Sequence, residues 1–138
     1  MDSKEMILAD IERTEKITIN LGPVDLGQID LLVQEGFYSN RTDFIRTAIR
    51  YQLTTHAEVV KRTLARRTLV LGLRHYTRQD LEAVKAAGEK LQINVLGLVS
   101  IAEDVSTELA LETIDSVIVL GALRASPAVK AALAGRIK

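Results

Sequence analysis

The sequence of 138 residues lacks cysteine and tryptophan, and only 4% of its residues are aromatic. The absence of cysteine excludes disulfide bonds, iron–sulfur clusters and thiol nucleophiles, and it gives no sign of an oxidising compartment. The shortage of aromatic side chains disfavours the stacking platforms that bind single-stranded nucleic acid. No run approaches the ~18 apolar residues of a membrane helix, and the acidic start is not typical of a signal peptide. We therefore expect a cytoplasmic protein with no membrane partner.

Charge is balanced overall but distributed unevenly along the chain. The 18 basic and 18 acidic residues give a net charge of zero, which excludes the overall positive charge of a nucleic-acid coat protein. Residues 1–15 nevertheless hold five acids and two bases, whereas residues 36–67 hold seven bases and two acids. Any contact with nucleic acid must therefore come from a local patch. The pattern predicts four segments: an acidic arm at 1–15, a small domain at 16–56, a helical extension at 57–67 and an α/β domain at 68–138.

The small domain reads as a strand followed by two helices. Residues 16–21 alternate polar and apolar side chains, the period of a strand with one buried face. Apolar residues after Pro23 recur at helical spacing up to Gly36, and a second helix is predicted to start at the capping residue Asn40, answered by Asp43. We expect this helix to bend at Thr54–Thr55 and to end near Arg67. The residues predicted to form the buried face are Ile17, Ile19, Leu21, Leu26, Ile29, Leu32, Val33, Phe44, Ile45 and Ile49.

The last 70 or so residues contain a threefold repeat. The strings Val70-Leu71-Gly72-Leu73, Val95-Leu96-Gly97-Leu98 and Val119-Leu120-Gly121-Ala122 are spaced 25 and 24 residues apart, and each precedes a helix-start signal. Apolar strands that alternate with helices predict a parallel sheet, and a period in the low twenties predicts solenoid-like stacking. Chance recurrence of common residues is the alternative. The predicted fold class is mixed α/β, with a strand-helix-helix head and a three-unit strand–helix repeat.

The segment from Lys16 to Leu53 resembles the ribbon-helix-helix family of DNA-binding proteins, which includes the CopG, Arc and MetJ repressors. The resemblance lies in the alternating strand, the helix after Pro23, the stop at Gly36 and the run from Tyr38 to Arg50. It implies a symmetric homodimer whose two strands pair as an antiparallel ribbon, with the polar face of the ribbon in the major groove of double-stranded DNA. A segment this small also needs a partner to bury a core.

The resemblance assigns two sets of contact residues. The polar ribbon face is Lys16, Thr18 and Asn20, and these side chains suit guanine, thymine and adenine edges. The start of the second helix, at Ser39, Asn40 and Arg41, would lie against phosphates, because free amides and the helix dipole attract anions there. The alternatives are that the first set is only the solvent-exposed face of a strand, and that Asn40 caps its own helix beside a solvated Arg41.

Neither metal binding nor catalysis is indicated. The two histidines, His56 and His75, are too few for a metal-sensing site, so we expect no metal and no cofactor. There is no nucleophile with a base and an acid, and no phosphate-binding loop. The pair Glu103-Asp104 precedes a predicted helix, and helix capping explains it. The chain is therefore predicted to be a binding protein and not an enzyme.

The leading hypothesis is a sequence-specific transcriptional regulator, a repressor in the nucleoid that binds a palindromic operator. It would act as a dimer, or as a tetramer joined through the C-terminal repeats; the alternative role of the 68–138 domain is to hold an effector. Two alternatives stay open: the antitoxin of a toxin–antitoxin pair, and a self-assembling scaffold whose repeats stack by their strand edges.

Overall fold

The computed structural model describes residues 14–138, so most of the predicted acidic arm lies outside the described residues. The described chain divides into an N-terminal unit, Lys16–Thr63, and a C-terminal unit, Leu64–Lys138 together with Thr14 and Glu15. The predicted mixed α/β class is confirmed by helices in both units and a three-stranded parallel sheet in the C-terminal unit.

The N-terminal unit contains helix α1, Pro23–Gln34, and helix α2, Arg41–Thr55. Pro23 occupies the first turn of α1, where its missing N–H costs no hydrogen bond. Gly36 adopts a φ of +85°, which reverses the chain after α1 as predicted. Residues 16–21 have the alternating sequence pattern of a strand but form no strand within this single chain. A strand is defined by hydrogen bonds to a neighbour, and the described chain offers these residues none.

The long second helix is interrupted one residue beyond the predicted bend. Helix α2 ends at Thr55, and His56 leaves the helical region with φ −101° and ψ 10° before helix α3, Ala57–Arg66, begins. The hydroxyls of Thr54 and Thr55 donate to carbonyls four residues earlier, at 2.9 and 3.1 Å. Such back-bonding loosens the last turn of a helix, and the break follows directly.

The C-terminal unit is built on strands β1, Val70–Tyr76, β2, Leu91–Ile101, and β3, Ile114–Arg124. They are parallel and lie in the order β1-β2-β3, which confirms the predicted parallel sheet. The three glycines of the repeat lie side by side in register: Gly72 opposite Gly97, and Gly97 opposite Gly121. The three copies of the sequence repeat therefore occupy equivalent positions in the three strands.

Each strand is followed by a helix with its own cap. Helix α4, Arg78–Ala86, starts at a capping box between Thr77 and Asp80. Helices α5, Thr107–Thr113, and α6, Pro127–Leu133, start at Ser106 and Ser126, and a short 3-10 helix, Ala134–Arg136, follows α6. The prediction that Glu103-Asp104 caps α5 is wrong, because the hydroxyl of Ser106 accepts the amide of Leu109 at 3.1 Å.

The main core lies between the sheet and its helices. Leu81 of α4, Ala110 of α5 and Leu133 of α6 are fully buried against it. The side chains that the strands contribute to this core are Ile93, Val95, Val99, Ile101, Ile114 and Val117. Glycine is required where the repeats meet, since a Cβ at Gly97 would overlap the carbonyl oxygen of Gly72, and one at Gly121 that of Gly97.

Candidate functional site

The alternating segment 16–21 presents both of its faces to solvent in the single chain. The polar residues Lys16, Thr18 and Asn20 are exposed. The apolar residues Ile17, Ile19 and Leu21 are also exposed, to 75, 58 and 41%. An apolar row of this kind is costly in water, at about 25 cal/mol per Å² of exposed area.

The predicted buried face is mostly unburied within one chain. Ile29 is the one buried residue of Lys16–Thr63, at 7% exposure. Leu26, Leu32, Val33, Phe44 and Ile45 are half-buried around it, whereas Ile49 is 46% exposed. A unit with a single buried side chain cannot balance the entropy cost of ordering its backbone. These residues therefore need a second surface to complete their core.

The start of α2 is organised by reciprocal capping. The side-chain oxygen of Asn40 accepts the backbone N–H of Asp43 at 2.8 Å. The carboxylate of Asp43 accepts from the backbone N–H of Ser39 at 3.0 Å and from its hydroxyl at 3.2 Å. The expected cap at Asn40 is thus present, but Asp43 reaches Ser39 and not the amide of Asn40. The cap binds the backbone N–H of Asp43. It leaves the backbone N–H groups of Arg41 and Thr42, also in the first turn of α2, without an intrahelical acceptor.

Arg41 is held by a residue that sequence reasoning missed. Its Nε and Nη2 donate to the two carboxylate oxygens of Asp30 on α1, at 2.7 and 2.8 Å. The hydrogen bond from Arg41, followed by its positive charge, lowers the pKa of Asp30. This planar pairing ties the first turn of α2 to α1 and fixes where the guanidinium lies. Asp30 and Arg41 lie on different helices separated by a turn, so no periodicity of a single element could signal their pairing.

The predicted contact residues therefore fall at two places on one unit. Ser39, Asn40 and Arg41 are brought together at the start of α2, each with a hydrogen bond inside the chain. Lys16, Thr18 and Asn20 lie on the segment that leads into α1. Edge-to-face packing of Tyr38 on Phe44, with ring centres 5.0 Å apart, holds the turn that connects the helices.

The two histidines lie at separate places. His56 ends α2, and its Nε2 is 3.2 Å from Nε2 of Gln52. His75 is on β1, with both ring nitrogens buried and without a hydrogen bond from the described residues. Within residues 14–138 no three metal-ligating side chains come together, and no helix of that part is long and apolar enough to cross a bilayer.

Comparison with known proteins gives one short match and one extensive match. An uncharacterized protein of Methanocaldococcus jannaschii is 42% identical over 40 residues, which cover 29% of this chain and 41% of that protein. The chain thus spans about two fifths of the length of the curated relative it matches. No solved structure matches it. The sequence pattern of the ribbon-helix-helix transcriptional regulator family, in contrast, matches residues 12–130, and the protein belongs to this family.

Proposed function

We propose that the chain is a sequence-specific repressor that binds double-stranded DNA as a homodimer. The observation that carries this proposal is the two-faced segment 16–21, with exposed polar residues on one face and exposed apolar residues on the other. Pairing of two copies as an antiparallel ribbon provides the missing strand neighbour and covers Ile17, Ile19 and Leu21. The same pairing places the Lys16, Thr18 and Asn20 side chains of both chains on one surface of the ribbon. Membership of a transcriptional regulator family supports DNA binding and dimerisation.

The ribbon reads bases, and the start of α2 positions it on the backbone. A two-stranded ribbon fits the major groove, where lysine pairs with guanine, asparagine with adenine, and threonine contacts either an acceptor or the thymine methyl. A phosphate oxygen lies at the amides of Arg41 and Thr42, at the positive end of the helix dipole. Because the dimer has two-fold symmetry, its operator is palindromic.

The C-terminal unit joins dimers into a tetramer and takes no part in catalysis. Two ribbons held in one assembly bind two operators with a high effective concentration. Such a protein works in the cytoplasm, on the nucleoid, and represses by occupying its operator.

Selection from random double-stranded DNA with the full-length protein, followed by binding measurements on the selected site, tests this function. We expect one palindromic site and a salt-dependent Kd far below that for unrelated DNA. The test variants are Thr18→Ala and Asn20→Ala, which leave the apolar face intact. If selection enriches no sequence, or if both variants bind the selected site as tightly as the wild type, the ribbon does not read bases.

A further inference from the structure

The outer edge of β1 is an open end of the sheet. No other strand in the described part of the chain pairs with it. Its first four residues, from Val70 to Leu73, are uncharged and contain no proline, and the one charge of the strand is on Arg74 beyond them, although sheet edges in monomeric proteins are usually protected by charge, proline or a bulge. Leu71 at this edge is 67% exposed. The edge therefore has the properties of a pairing surface.

The backbone of β1 has a vacant notch at Gly72. The three repeat glycines share one unusual conformation, with φ of +132° at Gly72, +141° at Gly97 and +125° at Gly121. At Gly97 and Gly121, the space of the missing Cβ is taken by the carbonyl oxygen of the preceding strand's glycine. At Gly72 the same space is open, with no atom of the described chain within 4 Å. A glycine carbonyl from one more strand would fill it as the others are filled.

The outer edge of β3 offers that carbonyl. Within the sheet, the glycine carbonyl of each strand points towards the next strand, so that of Gly121 points outwards from β3. The C-terminus covers only the start of this edge, where Val117 bridges Ile137 and accepts the amide of Lys138 at 2.9 Å. Continuing the register, Val117 would lie opposite Thr68, which precedes β1. Among residues 14–138 no strand lies on this edge beside Val119 to Leu123, and Arg124 beyond them donates to the carboxylate of Glu15 at 2.6 Å.

We propose that β3 of one copy pairs in parallel with β1 of a second copy, with the Gly121 carbonyl seated at Gly72. In this register Val119 lies beside Val70 and Leu120 beside Leu71, which continues the rows already present in the sheet. The large apolar side chains that the C-terminal unit exposes are Val70, Leu71, Leu120 and Ile137, at 41, 67, 45 and 39%. All four lie on the two edges that this contact joins. Made reciprocally, with β3 of each copy on β1 of the other, the contact closes between two chains; it rests on the tetramer proposed above and names the surface that forms it.

Cysteine pairs test the contact directly, because the natural chain has no cysteine. Positions 71 and 120 of one chain are two strand spacings apart, about 9.6 Å, too far for a disulfide. Across the proposed contact they are one spacing apart, about 4.8 Å, within its range. The full-length double variant Leu71→Cys/Leu120→Cys, oxidised without DNA, is expected to form roughly ten times more interchain disulfide than either single variant.

Two further variants make the result decisive. Adding Gly72→Ala to the cysteine pair fills the notch and is expected to reduce the interchain product about tenfold, since a buried overlap expels the partner strand. Gly88→Ala is the control, because Gly88 also has a positive φ, of +69°, and open space around its missing Cβ; it carries the backbone strain without touching the notch and should leave the product unchanged. Equal cross-linking by Leu71→Cys alone would show two β1 edges facing each other and overturn the proposal, as would no interchain product. Because the assay contains no DNA, failure to bind an operator would leave it unaffected.

Discussion

Substitution of Arg41 tests whether the start of α2 binds phosphate or only joins α2 to α1. Two of its nitrogens bind Asp30, which leaves the Nη1 hydrogens and the second Nη2 hydrogen for a phosphate. In a dimer, two copies of Arg41 would contact DNA. Each phosphate contact contributes about 0.9 to the slope of log K against log salt, so Arg41→Ala should reduce the slope by about 1.8. Between about 50 and 200 mM salt, the variant then loses about twelve-fold less affinity than the wild type.

Asp30→Asn is the matched control, because it weakens the same ion pair while keeping the cation. We expect this variant to retain the wild-type salt slope, since its guanidinium is still available to phosphate. Fluorescence anisotropy with a labelled operator across a salt series measures both slopes. If Arg41→Ala keeps the wild-type slope, Arg41 does not contact phosphate. If both variants weaken binding equally with unchanged slopes, the ion pair acts only by holding α2 against α1.

Three further predictions concern the dimer, the repeat and the response to alkali. Ile19→Lys should abolish the dimer and the folding of the N-terminal unit together, because it places an unpaired charge in the shared core, and a folded monomer in sedimentation and circular dichroism would contradict this. Gly97→Ala should lower the free energy of unfolding by about 2–6 kcal/mol, from left-handed backbone strain plus overlap with Gly72, whereas Gly135→Ala should be near neutral in denaturant titrations. Burial raises the pKa of Tyr76 above its ordinary value of 10.0, so the unfolded state releases the proton first and stability falls as pH rises past that value. The Tyr76→Phe variant should show a shallower fall, and an equally steep one would remove Tyr76 as a cause.

The sequence by itself determined the features that depend on residues close together in the chain. Capping residues bind amides three positions away, which is why Asn40 starts its helix where the pattern predicted, and Thr77 caps α4 in the same way. The threefold glycine string predicted a parallel sheet because a helix between consecutive strands returns the chain to the same end of the sheet, so that the strands run parallel. Family resemblance was readable for the same reason, since an alternating strand followed by two periodic helices is a short-range pattern.

Tertiary structure decided what depends on residues far apart in the chain. The pairing of Arg41 with Asp30 joins two helices whose relative placement no periodicity encodes. The need for glycine at Gly97 became visible only when β1 was placed beside it, because a missing Cβ has meaning only once its neighbour is known. Sequence patterns report the periodicity of single elements, whereas contacts between elements depend on where the whole chain brings their surfaces together.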